Sequence, residues 1–145
     1  MTLQPCTYAS ERPGKRTILL VEDEPFVREA TCSILENAGF EVLPAGDALD
    51  AMKVYEEYER RVDLVMTDMV LPGRTGQQLG QELRRRSPEV RVLVTSGYGN
   101  AEYDTEEPES LTYFLAKPYS RRGLIEKIEK ILGAAPLHRA ATQAG

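Results

Sequence analysis

The sequence predicts an α/β fold in which helices cover both faces of a parallel sheet. Three observations carry that prediction. A continuous apolar run at 17–21 reads as a strand buried on both faces, and the largely apolar segments 62–67 and 91–95 read as further strands. Stretches of helical period alternate with the strands, and turn residues separate the two kinds of segment. Such alternation implies parallel strands joined by right-handed crossovers.

Residues 1–16 are polar, carry Pro5, Pro13 and Gly14, and read as a flexible leader. The first strand is 17–21. Asp23 and Glu24 then precede Pro25, a good residue for a first helical turn. In the first helix Val27, Ala30, Ile34 and Ala38 share the face expected to pack inward, and Gly39 supplies the stop. A second strand is expected at 41–43. Asp47 caps a helix in which Ala48, Met52 and Tyr55 share a face. After the third strand at 62–67, Pro72-Gly73 marks a turn. A third helix at 75–86 points Leu79 and Leu83 inward and ends at Ser87-Pro88. Its basic run, Arg84 to Arg86, reads as a solvated end that complements the helix dipole rather than as a nucleic-acid patch.

The fourth strand is 91–95. The stretch 97–110 holds Glu102, Asp104, Glu106, Glu107 and Glu109 with Gly99 and Pro108, so a fourth helix there is expected to be short or frayed. Those acids read as a solvated loop before a metal site, with a partner contact as the other reading. Tyr98, Tyr103 and Tyr113 read as surface or packing residues. The fifth strand is 112–116. Ser120 caps a last helix with Leu124, Ile128 and Ile131 inward; Glu126 is placed to pair with Lys130, and Gly133 ends it. The tail 134–145 is rich in alanine and reads as flexible, and its lone His138 makes no metal site.

Composition narrows the function classes. The chain has 145 residues, enough for one ordinary domain, and its 41% hydrophobic and 28% charged residues can form a core. With 18 Lys and Arg against 23 Asp and Glu the net charge is −5, which does not favour unassisted binding to nucleic acid or anionic membrane. With no Trp, 7 Tyr and 3 Phe, a base-stacking platform is not expected. No signal-peptide apolar region is present, and no early apolar run approaches the roughly 20 residues that span a bilayer. A cytoplasmic protein is therefore expected. Cys6 and Cys32 form no C-x-x-C motif and are expected to be free thiols in a reducing compartment.

The chemistry sits at the carboxyl ends of the strands, where open parallel sheets bind ligands. The first strand delivers Glu22, Asp23 and Glu24 there, the third Asp68, the fourth Thr95 and Ser96, and the fifth Lys117 followed by Pro118. Clustered carboxylates repel one another unless a cation is bound among them. Oxygen donors select a hard ion, and Mg2+ needs only one or two carboxylates with waters and a phosphate. A lysine and a threonine hydroxyl suit phosphoryl oxygens. Singly, a strand-end acid reads as a helix cap or a solvated loop residue. Together these residues are the parts for phosphoryl transfer to a carboxylate.

Four segments, ILLVEDEP at 18–25, DLVMTDMVLPG at 63–73, VLVTSGY at 92–98 and FLAKPY at 114–119, stand in an order and spacing that resembles the receiver (response regulator) domains of two-component signalling. The likeness covers 17–133, and the TSGY wording is most similar to receivers associated with hybrid histidine kinases. The resemblance implies a flavodoxin-like, doubly wound, five-stranded parallel sheet in the order 2-1-3-4-5. It implies Asp68 as the phosphoacceptor, with the phosphoryl group coming from a phosphohistidine on a histidine kinase or histidine phosphotransfer protein. Glu22 and Asp23 match the acidic pair that holds Mg2+, the first often through water; Glu22 stands where many members have Asp. Val70 matches the position whose backbone carbonyl completes the metal site. Thr95 matches the hydroxyl that swings to the phosphoryl group. Lys117 matches the lysine that contacts it, and the bond to Pro118 is commonly cis in the family. Phe114 matches the aromatic switch position, although as a residue it reads equally as ordinary core.

Phosphorylation would take Asp68 from a single negative charge to about −2 and give Thr95 and Lys117 a new target. The protein is thus expected to be a substrate and switch rather than a turnover enzyme. Val70 and Gly97 lie two residues beyond Asp68 and Thr95, and neither side chain can orient an attacking water. A receiver at 17–133 leaves a leader and a tail with no room for an output domain, so a downstream protein partner, no direct DNA binding and no membrane association are expected. A Mg2+-dependent phosphatase of the haloacid-dehalogenase type would need an acid where Val70 stands. A degenerate receiver acting only as a binding module would not need Glu22, Asp23, Asp68, Thr95 and Lys117 together.

Overall fold

The computed structural model describes residues 15–97 and 111–133. In chain order the elements are β1 (Thr17–Val21), α1 (Pro25–Asn37), β2 (Glu41–Ala45), α2 (Ala48–Tyr58), β3 (Leu64–Asp68), β4 (Val70–Leu71), β5 (Arg74–Thr75), α3 (Gly76–Arg86), β6 (Val92–Ser96), β7 (Thr112–Ala116) and α4 (Arg121–Gly133). Five of the strands form one sheet in the order β2-β1-β3-β6-β7, and every pairing in it is parallel. The remaining two strands pair antiparallel with each other across the Pro72-Gly73 turn. With that hairpin set aside, the order is the expected 2-1-3-4-5. The expected fourth helix, the leader up to residue 14 and the tail from 134 lie outside the described residues.

The central strands are buried on both faces because most of their side chains are apolar, and these alternate between two cores. On one face Leu19, Val21, Val65 and Val94 pack with Ala51 and Tyr55 of α2 and Leu79 and Leu83 of α3. On the other, Ile18, Leu20, Met66 and Leu93 pack with Leu35 of α1 and Leu124 and Ile128 of α4. Helix ends follow the predicted chemistry. The Asp47 side chain accepts from the Asp50 N–H at 2.7 Å. Thr75 and Gln78 form a reciprocal capping box. Ser120 Oγ accepts from the Gly123 N–H at 2.9 Å. Gly39, at φ +100°, closes α1 with its own N–H on the Glu36 carbonyl and the Phe40 N–H on the Leu35 carbonyl.

Four expectations need correction. Of the four residues expected on the inward face of α1, Ile34 packs against the core, but Val27, Ala30 and Ala38 do not. Thr31, Cys32 and Leu35 are buried, Arg28 is half-buried, and Val27, Ala30 and Ala38 are exposed. The true face holds an arginine and a threonine, so hydrophobic periodicity pointed one register away. Cys32 is disulfide-bonded rather than a free thiol. A pairing of this kind depends on three-dimensional proximity, which cysteine spacing in a sequence does not encode. Strand limits also shift: Val62 and Arg91 fall outside their strands, while Asp68 and Ser96 lie within theirs. Finally, Glu126 pairs one turn back with Arg122, at 3.1 Å, and not forward with Lys130.

Candidate functional site

The parallel register brings the predicted residues to one end of the sheet. Asp68 ends β3 directly beside Thr95 on β6. The chain leaves β3 with the Met69 N–H donating to the Thr95 carbonyl at 2.7 Å, which fixes the loop after Asp68. Lys117 follows β7, and its N–H donates to the Ser96 carbonyl at 2.6 Å. Its Nζ lies 3.2 Å from Asp68 Oδ1 in a partly buried ion pair. The Lys117–Pro118 bond is cis. Thr95 is buried, 3% exposed. Phe114 is buried too, in the same core cluster as Val94. Val70 opens the hairpin strand β4 with its side chain 67% exposed.

The acidic pair enters from β1. The Glu22 N–H donates to the Ala45 carbonyl at 3.0 Å, and Glu22 Oε2 accepts from the Glu24 N–H at 3.2 Å. Glu22 is only 7% exposed, whereas Asp23 is open to solvent. Carboxylate oxygens of Glu22, Asp23 and Asp68 all lie within 4.8 Å of one another. Three negative charges thus face the Lys117 ammonium. Burial pushes the Glu22 carboxyl above its ordinary range, and the charges of Asp68 and Asp23 push the same way, while the Glu24 N–H and Lys117 oppose them. A site that resists the ionisation of its own acid suits a divalent cation, which would offset the repulsion. The all-oxygen donor set fits Mg2+.

Sequence reasoning missed two residues that shape this site. Arg28 donates from Nη1 to the Glu22 carbonyl at 2.7 Å. Gly76 starts α3 so close to β3 that a Cβ there would stand 2.4 Å from the Asp68 carbonyl oxygen. Its signal was a glycine at the first position of a capped helix, where a better helix former would be expected. Arg28 gave a weaker signal: a charged residue one turn after Glu24, on a helix already assigned the wrong inward face.

The comparisons with known proteins agree with this geometry. The family model described as response regulator receiver domain matches residues 18–129. Sensor kinase CckA of Brucella abortus is 33% identical over 125 residues, covering 86% of this chain and 13% of that protein. Sensory transduction protein RegX3 of Mycolicibacterium smegmatis is 32% identical over 117 residues, covering 80% of this chain and 50% of that protein. The chain therefore spans half or less of the length of these relatives. Among solved structures, the receiver domain of NtrX from Brucella abortus superposes with a TM-score of 0.72 at 32% identity, covering 81% of this chain and 99% of that one. The receiver domain from hybrid histidine kinase CckA superposes with a TM-score of 0.67 at 31% identity, over 80% of this chain and 98% of that one. A five-stranded parallel sheet in this order, an acidic crevice at its carboxyl end and these relatives agree: the chain belongs to the response regulator receiver domain family.

Proposed function

We propose that Asp68 accepts a phosphoryl group from a phosphohistidine on a histidine kinase or histidine phosphotransfer protein, in a Mg2+-dependent reaction, and that the change of charge signals to a partner protein. The observation that carries this reading is the Lys117 ammonium 3.2 Å from Asp68 Oδ1, in a crevice where Glu22 and Asp23 bring two further carboxylates. In the transfer an Asp68 oxygen forms a bond to phosphorus as the phosphorus–nitrogen bond to the donor imidazole breaks; the imidazole leaves and takes up a proton. Glu22, Asp23, Asp68 and the Val70 carbonyl would hold Mg2+, which would supply charge neutralisation at the phosphoryl oxygens. Lys117 keeps a donor on the acceptor carboxylate, and Thr95, adjacent in the β3–β6 register, is the hydroxyl that would bind the transferred group. Phe114, two residues before Ala116 in β7 and buried beneath the same end of the sheet, is the side chain that would repack when Thr95 moves. Pro118 shapes the loop that presents Lys117.

This makes the protein a switch, with a protein partner rather than DNA as its first target. An aspartyl phosphatase reading is disfavoured because the position two beyond Asp68 is an exposed valine, which can neither donate nor accept a proton. Phosphohistidine is made from ATP, which supports a cytoplasmic setting. No described helix is long and apolar enough to cross a membrane.

The test uses acetyl phosphate and Mg2+ with intact-mass analysis. The wild type gains one acid-labile phosphoryl group, and Asp68→Asn and Mg2+-free samples do not. An unmodified wild type, or equal labelling of Asp68→Asn, overturns the reading.

A further inference from the structure

Arg28 of α1 is half-buried, with its guanidinium between the loops that follow β1 and β2. Its Nη1 donates to the Glu22 carbonyl at 2.7 Å. The same nitrogen lies 3.3 Å from the point a Cβ on Gly46 would occupy, so the glycine leaves the room in which the guanidinium sits. Glu22 is also tied from its other side, where its N–H donates to the Ala45 carbonyl at 3.0 Å. The peptide unit joining Glu22 to Asp23 is planar, so fixing its carbonyl oxygen fixes the plane from which both acidic side chains depart. A guanidinium-to-carbonyl bond in a half-buried setting is charge-assisted and directional, which suits that task better than a lysine would.

We infer that Arg28 is a positioning residue for the acidic pair, setting the Mg2+ affinity of the crevice through the Glu22–Asp23 peptide without touching the metal. This rests on the Mg2+ reading above. Charge and positioning predict opposite signs. Removing a cation near three carboxylates strengthens Mg2+ binding if only charge matters. Removing the clamp weakens it, and loss of a residue that orients metal ligands typically costs about tenfold or more in affinity.

The experiment is calorimetric titration of Mg2+ into the unphosphorylated full chain, with the melting temperature measured in Mg2+-free buffer. Arg28→Met should bind about tenfold more weakly than wild type, Arg28→Lys should recover part of the loss, and melting should stay near that of the wild type. Gly46→Ala keeps every charge and has no left-handed φ to strain it, so several-fold weaker binding there reports displacement of the guanidinium alone. Wild-type affinity or tighter binding in Arg28→Met overturns the inference. Should Arg28→Met not fold, Gly46→Ala decides: weaker binding upholds the inference, and unchanged binding overturns it. A wild type that takes up no Mg2+ removes the reading beneath it instead, and that outcome is seen before any variant is made.

Discussion

The two ends of the sheet treat their acids in opposite ways. At the amino end, Asp63 is satisfied by the chain itself: its carboxylate accepts from the Thr17 N–H at 2.8 Å, and its own N–H donates to the Thr17 carbonyl at 2.9 Å. That pair stitches the start of β3 to the start of β1. At the carboxyl end, Glu22, Asp23 and Asp68 converge within 4.8 Å, and one backbone N–H on Glu22 and the Lys117 ammonium on Asp68 leave most of their charge facing one another. A carboxylate met by backbone donors serves the fold, whereas carboxylates that face one another leave charge for something else to neutralise. The same residue type therefore stabilises one end of the sheet and makes a site at the other.

The largest effect is expected on removing the Lys117 ammonium from the crowded end. Lys117→Ala should slow phosphorylation by acetyl phosphate about a hundredfold, since a preorganised donor to the reacting group is lost; stopped time courses by intact mass measure this. Next, Gly76→Ala should cost about 1–3 kcal/mol of stability, because the added methyl group must displace the Asp68 carbonyl. Urea denaturation measures that cost, and the phosphorylation rate should fall with it. At the amino end, Asp63→Ala should cost about 1 kcal/mol for the lost Thr17 bond while leaving Mg2+ affinity and phosphorylation unchanged. If phosphorylation fell there too, the two ends would not be separable.

Glu22 makes stability at the crowded end depend on pH. Its carboxyl is raised in the folded protein, chiefly by burial. As pH rises through the ordinary carboxylate range, the unfolded chain releases this proton first, so Glu22 lowers the stability of the Mg2+-free protein until the folded pKa is passed. Glu22→Gln should remove that loss, raising the melting temperature at neutral pH and leaving it unchanged in acid, while weakening Mg2+ binding. The smallest effect is expected at Val70. Its side chain points into solvent, so Val70→Ala should leave the dephosphorylation rate unchanged.

The sheet was legible because doubly buried strands read as apolar runs, and Thr17–Val21 and Thr112–Ala116 match their predicted limits. The site residues were legible as an order of types at strand ends, and the sheet does bring Glu22, Asp23, Asp68 and Lys117 together. What was hidden has a common physical cause. Arg28 and Thr31 face inward on α1 through an aliphatic stem and a satisfied hydroxyl, so neither reads as apolar. The β4–β5 hairpin has two residues per strand, too few for any period to register. Gly76 is dictated by the approach of a backbone that only the folded chain brings near.

The crowded carboxylates are proposed to make Asp68 the phosphoacceptor. Borohydride reduction of the acetyl phosphate-treated protein, followed by peptide mapping, tests this role most directly, because reduction turns an aspartyl phosphate into homoserine at the residue that carried it. Homoserine is expected at position 68 alone, and only when Mg2+ was present. Homoserine at another acid, or equal conversion without Mg2+, would contradict it.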